Sequence, residues 1–160
     1  MALNGLIPVV FEDVFPRGAL VSGQVDRVKD WDRSTQDKFV QAEAETLDPD
    51  SGEVVSLPLW RVVILDGDPD LPPEALQVHV VARHQPVLPE PVPGMPFRPV
   101  ELDGLAIEAK VNRDKCKAPW GGRQHRCSAR VVYDLWARGL RAPAAPVGAR
   151  AGAGNGKASG

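Results

Sequence analysis

The residues of this chain that could do chemistry are concentrated between positions 110 and 141. Nine lysines and arginines lie there, opposed only by Asp114 and Asp134, and three aromatic residues are interleaved with them. Cations neutralise phosphates and planar rings stack on bases, so this mixture is typical of a nucleic-acid-binding surface. The residues predicted to contact nucleic acid are Lys110, Arg113, Lys115, Lys117, Trp120, Arg123, Arg126, Arg130, Trp136 and Arg138.

The small net charge of the whole chain conceals the basic character of this segment. The net charge is −2, yet residues 1–109 carry 19 acids and 8 bases (−11), whereas residues 110–160 carry 2 acids and 11 bases (+9). The basic part could attract an anionic partner. Two other interpretations stay open: a solvated edge strand that uses arginine for solubility, and a surface for an acidic protein.

The cysteines and histidines offer a second candidate site. Cys116, His125 and Cys127, with a fourth ligand from His79 or His84, could be read as a zinc site, but their spacing matches no familiar zinc pattern. The alternative places Cys127 on the apolar face of its strand and Cys116 in a hairpin loop, close enough to bridge on oxidation. We expect no metal and no cofactor.

No motif indicates catalysis. The acidic segment 66–70 lacks the glycine and terminal glutamate of a calcium loop, which favours a turn at a strand end. The segment GNGKAS near the C-terminus lacks the first glycine and the Ser or Thr of a phosphate loop. Neither G-x-S-x-G nor H-E-x-x-H occurs. The sequence therefore predicts a protein that is not an enzyme.

The elements that must position these residues are strands. Apolar and polar residues alternate in LAIEAKV, CSARVVYDLWARGL and ALQVHVVARH, and LWRVVILD is more continuously apolar. DKFVQAEAE forms a hairpin with LWRVVILD, and a further strand covers residues 19–28. With 16 Pro and 15 Gly breaking helices, the sequence predicts an all-β protein of about six strands. A single-domain barrel or sandwich fits, with an OB-like barrel favoured.

The domain is expected to span residues 1–143. Residues 144–160 are rich in Pro, Gly and Ala and are predicted to form a disordered tail. Trp31 and Trp60 are expected in the core or at a barrel end. The N-terminus has no basic region before its apolar residues, and no apolar run is long enough to cross a bilayer, so we expect a cytoplasmic protein without a membrane partner.

Four blocks of sequence carry a resemblance. They are FEDVFPRGALVSGQVDRVKDWDRSTQDKFVQA, LPLWRVVILDGDP, PVPGMPFRPVELDGL and RCSARVVYDLWARGLRAP. From about Pro8 to Pro143 the chain resembles the Pra proteins, the replication, integration and excision activators of actinomycete integrative plasmids. NRDKCKAPWGGRQHRC looks like a variable insertion. The resemblance implies a regulator that switches on the replication genes of an integrated element, coupled to its excision and transfer.

Three functions therefore remain open. The first is a non-enzymatic regulator that binds DNA through a basic C-terminal hairpin. The sequence contains no helix-turn-helix pattern, which argues against conventional promoter binding. The second is a protein-interaction module that docks on a replication initiator or pairs between subunits as a homo-oligomer. The third is a single-stranded DNA-binding accessory protein.

Overall fold

A computed structural model describes residues 5–48, 50–116 and 127–144. These residues form nine strands and one short helical turn, so the all-β prediction is confirmed. The elements are β1 (Leu6–Pro8), α1 (Phe11–Val14), β2 (Ala19–Arg27), β3 (Glu43–Leu47), β4 (Val54–Asp66), β5 (Ala75–Val81), β6 (Arg98–Asp103), β7 (Ala106–Asn112), β8 (Arg130–Ala137) and β9 (Gly139–Arg141).

The strands form a curled, partly open sheet that resembles half a barrel. Its order is β1-β7-β8-β5-β4-β2-β6-β9, and β3 pairs with β4 outside this path. Every pair is antiparallel except β5 with β8. The β3–β4 pairing confirms that these two segments form a hairpin, but β3 begins at Glu43 and pairs with Val54–Pro58, residues that the sequence analysis placed before LWRVVILD.

β6 and β7 on one side, and β8 and β9 on the other, form one long two-stranded ribbon that links the two ends of the strand order. β6 and β9 pair through Glu101 and Arg141, β7 and β8 pair through Ala106 and Trp136, and both pairs keep the same register. The ribbon bends at Gly104, which has a φ of +60° that favours glycine. Because its β6 half pairs with β2 and its β8 half with β5, the ribbon closes a five-strand circuit with β4. This arrangement fits the partly open OB-like barrel.

The core lies on one face of this curled sheet. Val62 and Ile64 of β4, with Val78 and Val80 of β5, are fully buried. Alternation predicts this for β5, whereas β4, which is more continuously apolar in sequence, buries one face and leaves Val63 and Leu65 partly exposed. Trp60 is also buried, at 6% exposure, and its indole Nε1 donates to the Ala82 carbonyl at 2.9 Å. Each buried Val or Ile side chain contributes about 1.5 to 3 kcal/mol, so the central strands dominate stability.

Three strands escaped the sequence analysis. β1 and β9 have three residues each, which is too short to show a period. β6 begins at Arg98, inside the proline-rich segment QPVLPEPVPGMPFRP, whose prolines predict a connection between strands. Its fully buried Val100 pairs with Ala19 of β2, and this pairing is not visible in the local pattern.

The core face of the β7–β8 ribbon is also shorter than its alternation predicts. Leu135 and Ala137 are buried, but Val131 and Tyr133 on the same side of the strand are exposed, Tyr133 at 63%. The pairing of β8 with β5 ends at Leu135, so within the described residues the part of β8 nearer Arg130 has only β7 as a strand neighbour. This part of β8 lines a cleft with Phe15, Asp66 and Glu74.

Two positions differ from expectation. Trp31, expected in the core, is 80% exposed because it lies in a polar segment that projects beyond β2. Cys127, expected on a strand's apolar face, is exposed and precedes β8. The expectation for Trp31 was based on the burial of large rings, and that for Cys127 on an alternation that continues before the first residue of β8.

No helix in the described part of the chain is long and apolar enough to cross a membrane. Residues 145–160, most of the segment expected to be a tail, lie outside the described residues.

Candidate nucleic-acid interface

The distal end of the β7–β8 ribbon collects positive charge. Asn112 pairs with Arg130 at the last register position, and Arg113 and Lys115 follow directly. Their three basic side chains are exposed and form no ion pair within the described ranges. We call Arg113, Lys115 and Arg130 the basic tip. In sequence, residues 113–130 hold six bases and one acid, so this end of the ribbon is strongly cationic.

Four of the predicted contact residues cannot be placed on this surface. Lys117, Trp120, Arg123 and Arg126 fall between residues 117 and 126, outside the described residues. Alternation in CSARVVYDLWARGL and the arginine before it predicts that Arg126 and Arg130 share one strand face, and this stays a prediction because Arg126 is not described.

Lys110 lies in a charge network of its own. Its Nζ lies 2.6 Å from Asp134 Oδ2 and 3.3 Å from Glu108 Oε2. The hydrogen bond to Asp134 raises the pKa of Lys110, and burial opposes this. Two carboxylates thus compensate a charge that the sequence analysis assigned to phosphate binding.

Trp136 is similarly engaged. Its indole Nε1 donates to Glu108 Oε2 at 3.1 Å, and its ring centroid lies 4.8 Å from that of His79, with the planes tilted by 34°. The side chain is half-buried. Glu108 therefore binds the edge of the Trp136 ring and His79 packs beside it, so the ring is less available for base stacking than a fully exposed one.

His79 and Trp136 belong to a row that crosses the outer face of the sheet. Asp26, Arg61, His79 and Trp136 are register partners on β2, β4, β5 and β8. Arg61 Nη2 lies 3.6 Å from Asp26 Oδ2. Burial lowers the pKa of His79, so its neutral form is favoured. The row gives the outer face mixed rather than positive charge.

Arg138 lies at the other end of β8 from the basic tip. It lines a cleft of about 430 Å³ together with Trp136, Val81 and residues of β1 and β3. Arg130 and Arg138 are eight positions apart, which corresponds to about 26 Å along an extended strand. The predicted cations are thus divided between two regions of the ribbon.

Comparison with known proteins adds no relative. No protein-family model, curated protein or solved structure matches this chain. The argument for function therefore depends on the fold and on the placement of charged and aromatic side chains.

The sequence analysis missed one surface. The segment 28–42 between β2 and β3 presents Trp31 and Phe39, which are 80% and 51% exposed, and Lys29 Nζ lies 4.4 Å from the centre of the Trp31 ring. A signal was available, because every residue from Asp32 to Lys38 is polar or charged. A tryptophan beside such a run has few apolar neighbours in sequence to bury it.

The two cysteines lie close together, Cys116 after β7 and Cys127 before β8. Cys116 Sγ and Cys127 Sγ are 3.8 Å apart. His125, the other member of the candidate zinc trio, lies outside the described residues. Within the residues that the structure describes, no group of three His, Cys, Asp or Glu side chains could hold a metal ion.

Proposed function

We propose that this chain is a non-catalytic regulator that binds DNA through the basic tip of the β7–β8 ribbon. In line with its resemblance to the Pra proteins, the process it would regulate is the replication, integration and excision of an actinomycete mobile element in the cytoplasm. DNA, and a replication protein assembled on it, are the partners that this function requires.

The observation that carries the proposal is the position of Arg113, Lys115 and Arg130. All three lie at the distal end of the ribbon, where no carboxylate of the described residues forms an ion pair with them, and Arg130 lines a cleft that also contains Asp66 and Glu74. By contrast, Lys110 is already paired with Glu108 and Asp134. Cations that have no ion-pair partner among the described residues are free to replace the counterions of a phosphate backbone.

The fold supports the proposal without deciding it. OB-like barrels bind oligonucleotides across the face of their second and third strands and through adjoining loops, including the loop between the fourth and fifth strands. Here β7 and β8 belong to the fourth and fifth strands of the five-strand circuit, so the basic tip opens the corresponding loop. Because one fold hosts many functions, the charge placement carries more weight than the topology.

The test is a titration of the full chain with labelled single-stranded and duplex DNA of one sequence at several salt concentrations. Arg113→Ala/Arg130→Ala should weaken binding to every sequence and make the salt slope shallower by roughly two contacts. Arg113→Lys/Arg130→Lys is the matched control, since it keeps both charges and should keep the slope. Melting curves check that all variants are folded.

An Ala double variant that binds like the wild type, with the same salt slope, would remove the basic tip from any DNA site. The protein-interaction function would then be favoured, with the acidic residues 1–109 and the basic residues 110–160 as its complementary surfaces.

A further inference from the structure

Trp31 and Phe39 occupy facing positions on a hairpin-like segment. Lys29 bridges Gln41, and the Asp30 N–H donates to the Val40 carbonyl at 2.9 Å. This register places position 39 opposite position 31. Both residues are more than half exposed, so the segment presents two large aromatic side chains to solvent.

The segment is held rigidly by its own hydrogen bonds. Asp30 Oδ1 accepts the N–H groups of Asp32 and Arg33 at 3.0 and 2.9 Å, and its Oδ2 lies 2.6 Å from Arg33 Nε. Ser34 Oγ both accepts from the Val40 N–H and donates to its carbonyl. The turn is therefore ordered before any ligand arrives, and little conformational entropy remains to be lost on binding.

The surroundings of the Trp31 ring indicate what it binds. The Lys29 ammonium lies 4.4 Å from the ring centre, on one side of it, and the 80% exposure of the residue leaves much of the rest of its surface open to a second planar group. A nucleotide has the matching parts, a flat base for the ring and a phosphate for the neighbouring ammonium.

We propose that Trp31 and Phe39 form a base-stacking site for single-stranded nucleic acid. The inference rests on the proposed DNA-binding function and adds a substrate class to it, because bases can stack on these rings only when they are unpaired and accessible. In a duplex the base faces are already stacked on their neighbours.

A protein partner fits this surface less well. Protein hot spots lie in apolar, desolvated surroundings, whereas residues 32–38 are all polar or charged. The acids and bases from Lys29 to Lys38 also balance at three each, so the segment adds no net positive charge. Its contribution to affinity should therefore come mainly from the rings, with Lys29 as its phosphate contact and little dependence on salt.

The experiment uses the full chain, a labelled oligothymidylate and a duplex of equal length. Trp31→Leu retains apolar bulk without a planar ring and should bind the single strand about 5- to 150-fold more weakly, at an unchanged salt slope and with unchanged duplex affinity. Trp31→Phe, the matched control, retains a ring and should keep most of the affinity. Quenching of tryptophan fluorescence by the oligonucleotide should decrease in both variants.

Single-strand affinity in Trp31→Leu equal to the wild type, or equal losses for single strand and duplex, would overturn the stacking site. A different result would overturn only the DNA-binding role of the basic tip. In that case the salt slope of Arg113→Ala/Arg130→Ala is unchanged, while Trp31→Leu still loses affinity for the single strand. A wild-type chain that binds neither DNA overturns both proposals. Because Trp31 is exposed, its variants should melt with the wild type.

Discussion

Trp136 and Glu108 are joined across the β7–β8 ribbon, where the indole Nε1 donates to Glu108 Oε2 at 3.1 Å. The same carboxylate oxygen lies 3.3 Å from Lys110 Nζ. A tryptophan and a lysine that the sequence analysis assigned to nucleic acid are thus held together by an acidic side chain. This relationship gives Trp136 a role in stability.

Trp136→Phe should therefore lower the free energy of unfolding by about 1 to 2 kcal/mol, because it removes a hydrogen bond to a charged acceptor at a partly exposed site. Urea denaturation measures the change. Trp31→Phe is the control, because the exposed Trp31 side chain has no hydrogen bond among those that the structure shows. Equal stability of the two variants would contradict the structural role of Trp136.

His79 should make the protein less stable in acid. Burial lowers its pKa below the ordinary value of 6.5, opposed by the nearby Asp134 carboxylate and assisted by Lys110. The unfolded chain then binds more protons than the folded one, so stability is complete above pH 6.5 and falls as the pH drops through 6.5 towards the lowered pKa.

The measurement compares urea unfolding at pH 7.5 and pH 5.5 for the wild type and His79→Gln. Glutamine does not titrate, so the variant should lose less stability between the two pH values. The carboxylates contribute equally to both proteins and cancel in the comparison. The same pH dependence in both would show that His79 is not the responsible group.

Gly67 should tolerate no side chain. A Cβ there would lie 2.6 Å from the Arg17 carbonyl oxygen and 2.7 Å from that of Gly18, and both are backbone atoms that cannot rotate away. Gly67→Ala should cost about 1 to 3 kcal/mol through forced displacement of the β2–β4 end. Gly139→Ala is the control, since its nearest contact would be an ordinary 3.7 Å. Thermal melts should separate the two variants, and coincident melts would refute the close approach.

Cys116 and Cys127 should form an intramolecular disulfide when treated with oxidised glutathione. Their sulfur atoms are 3.8 Å apart, so a small movement brings them to bonding distance. Together the two cysteine thiols lose two protons and two electrons and form one S–S bond. The same protons and electrons reduce one glutathione disulfide to two glutathione thiols. Thiol titration should fall from two groups to none, and stability should rise by about 2 to 3 kcal/mol. Cys116→Ser should show neither effect, and two remaining thiols in the treated wild type would disprove the pairing.

The sequence alone determined the all-β class, the core face of β5, and the basic character of residues 110–141. These properties are local, because alternation along one strand reveals which side is apolar and charge can be counted without a fold. The concentration of basic residues towards the C-terminus and the hairpin of β3 with β4 can likewise be read from neighbouring residues in the sequence.

Only the tertiary structure decided which of those side chains are available. Lys110 acquires its carboxylate partner because the register of β7 against β8 brings Asp134 beside it, and the two residues are 24 positions apart. Tyr133 lies beyond the last residue of β8 that pairs with β5 and is exposed. Trp31 projects because the segment 28–42 folds on itself. Strand register and strand length relative to a neighbour depend on distant pairings, so no local pattern contains them.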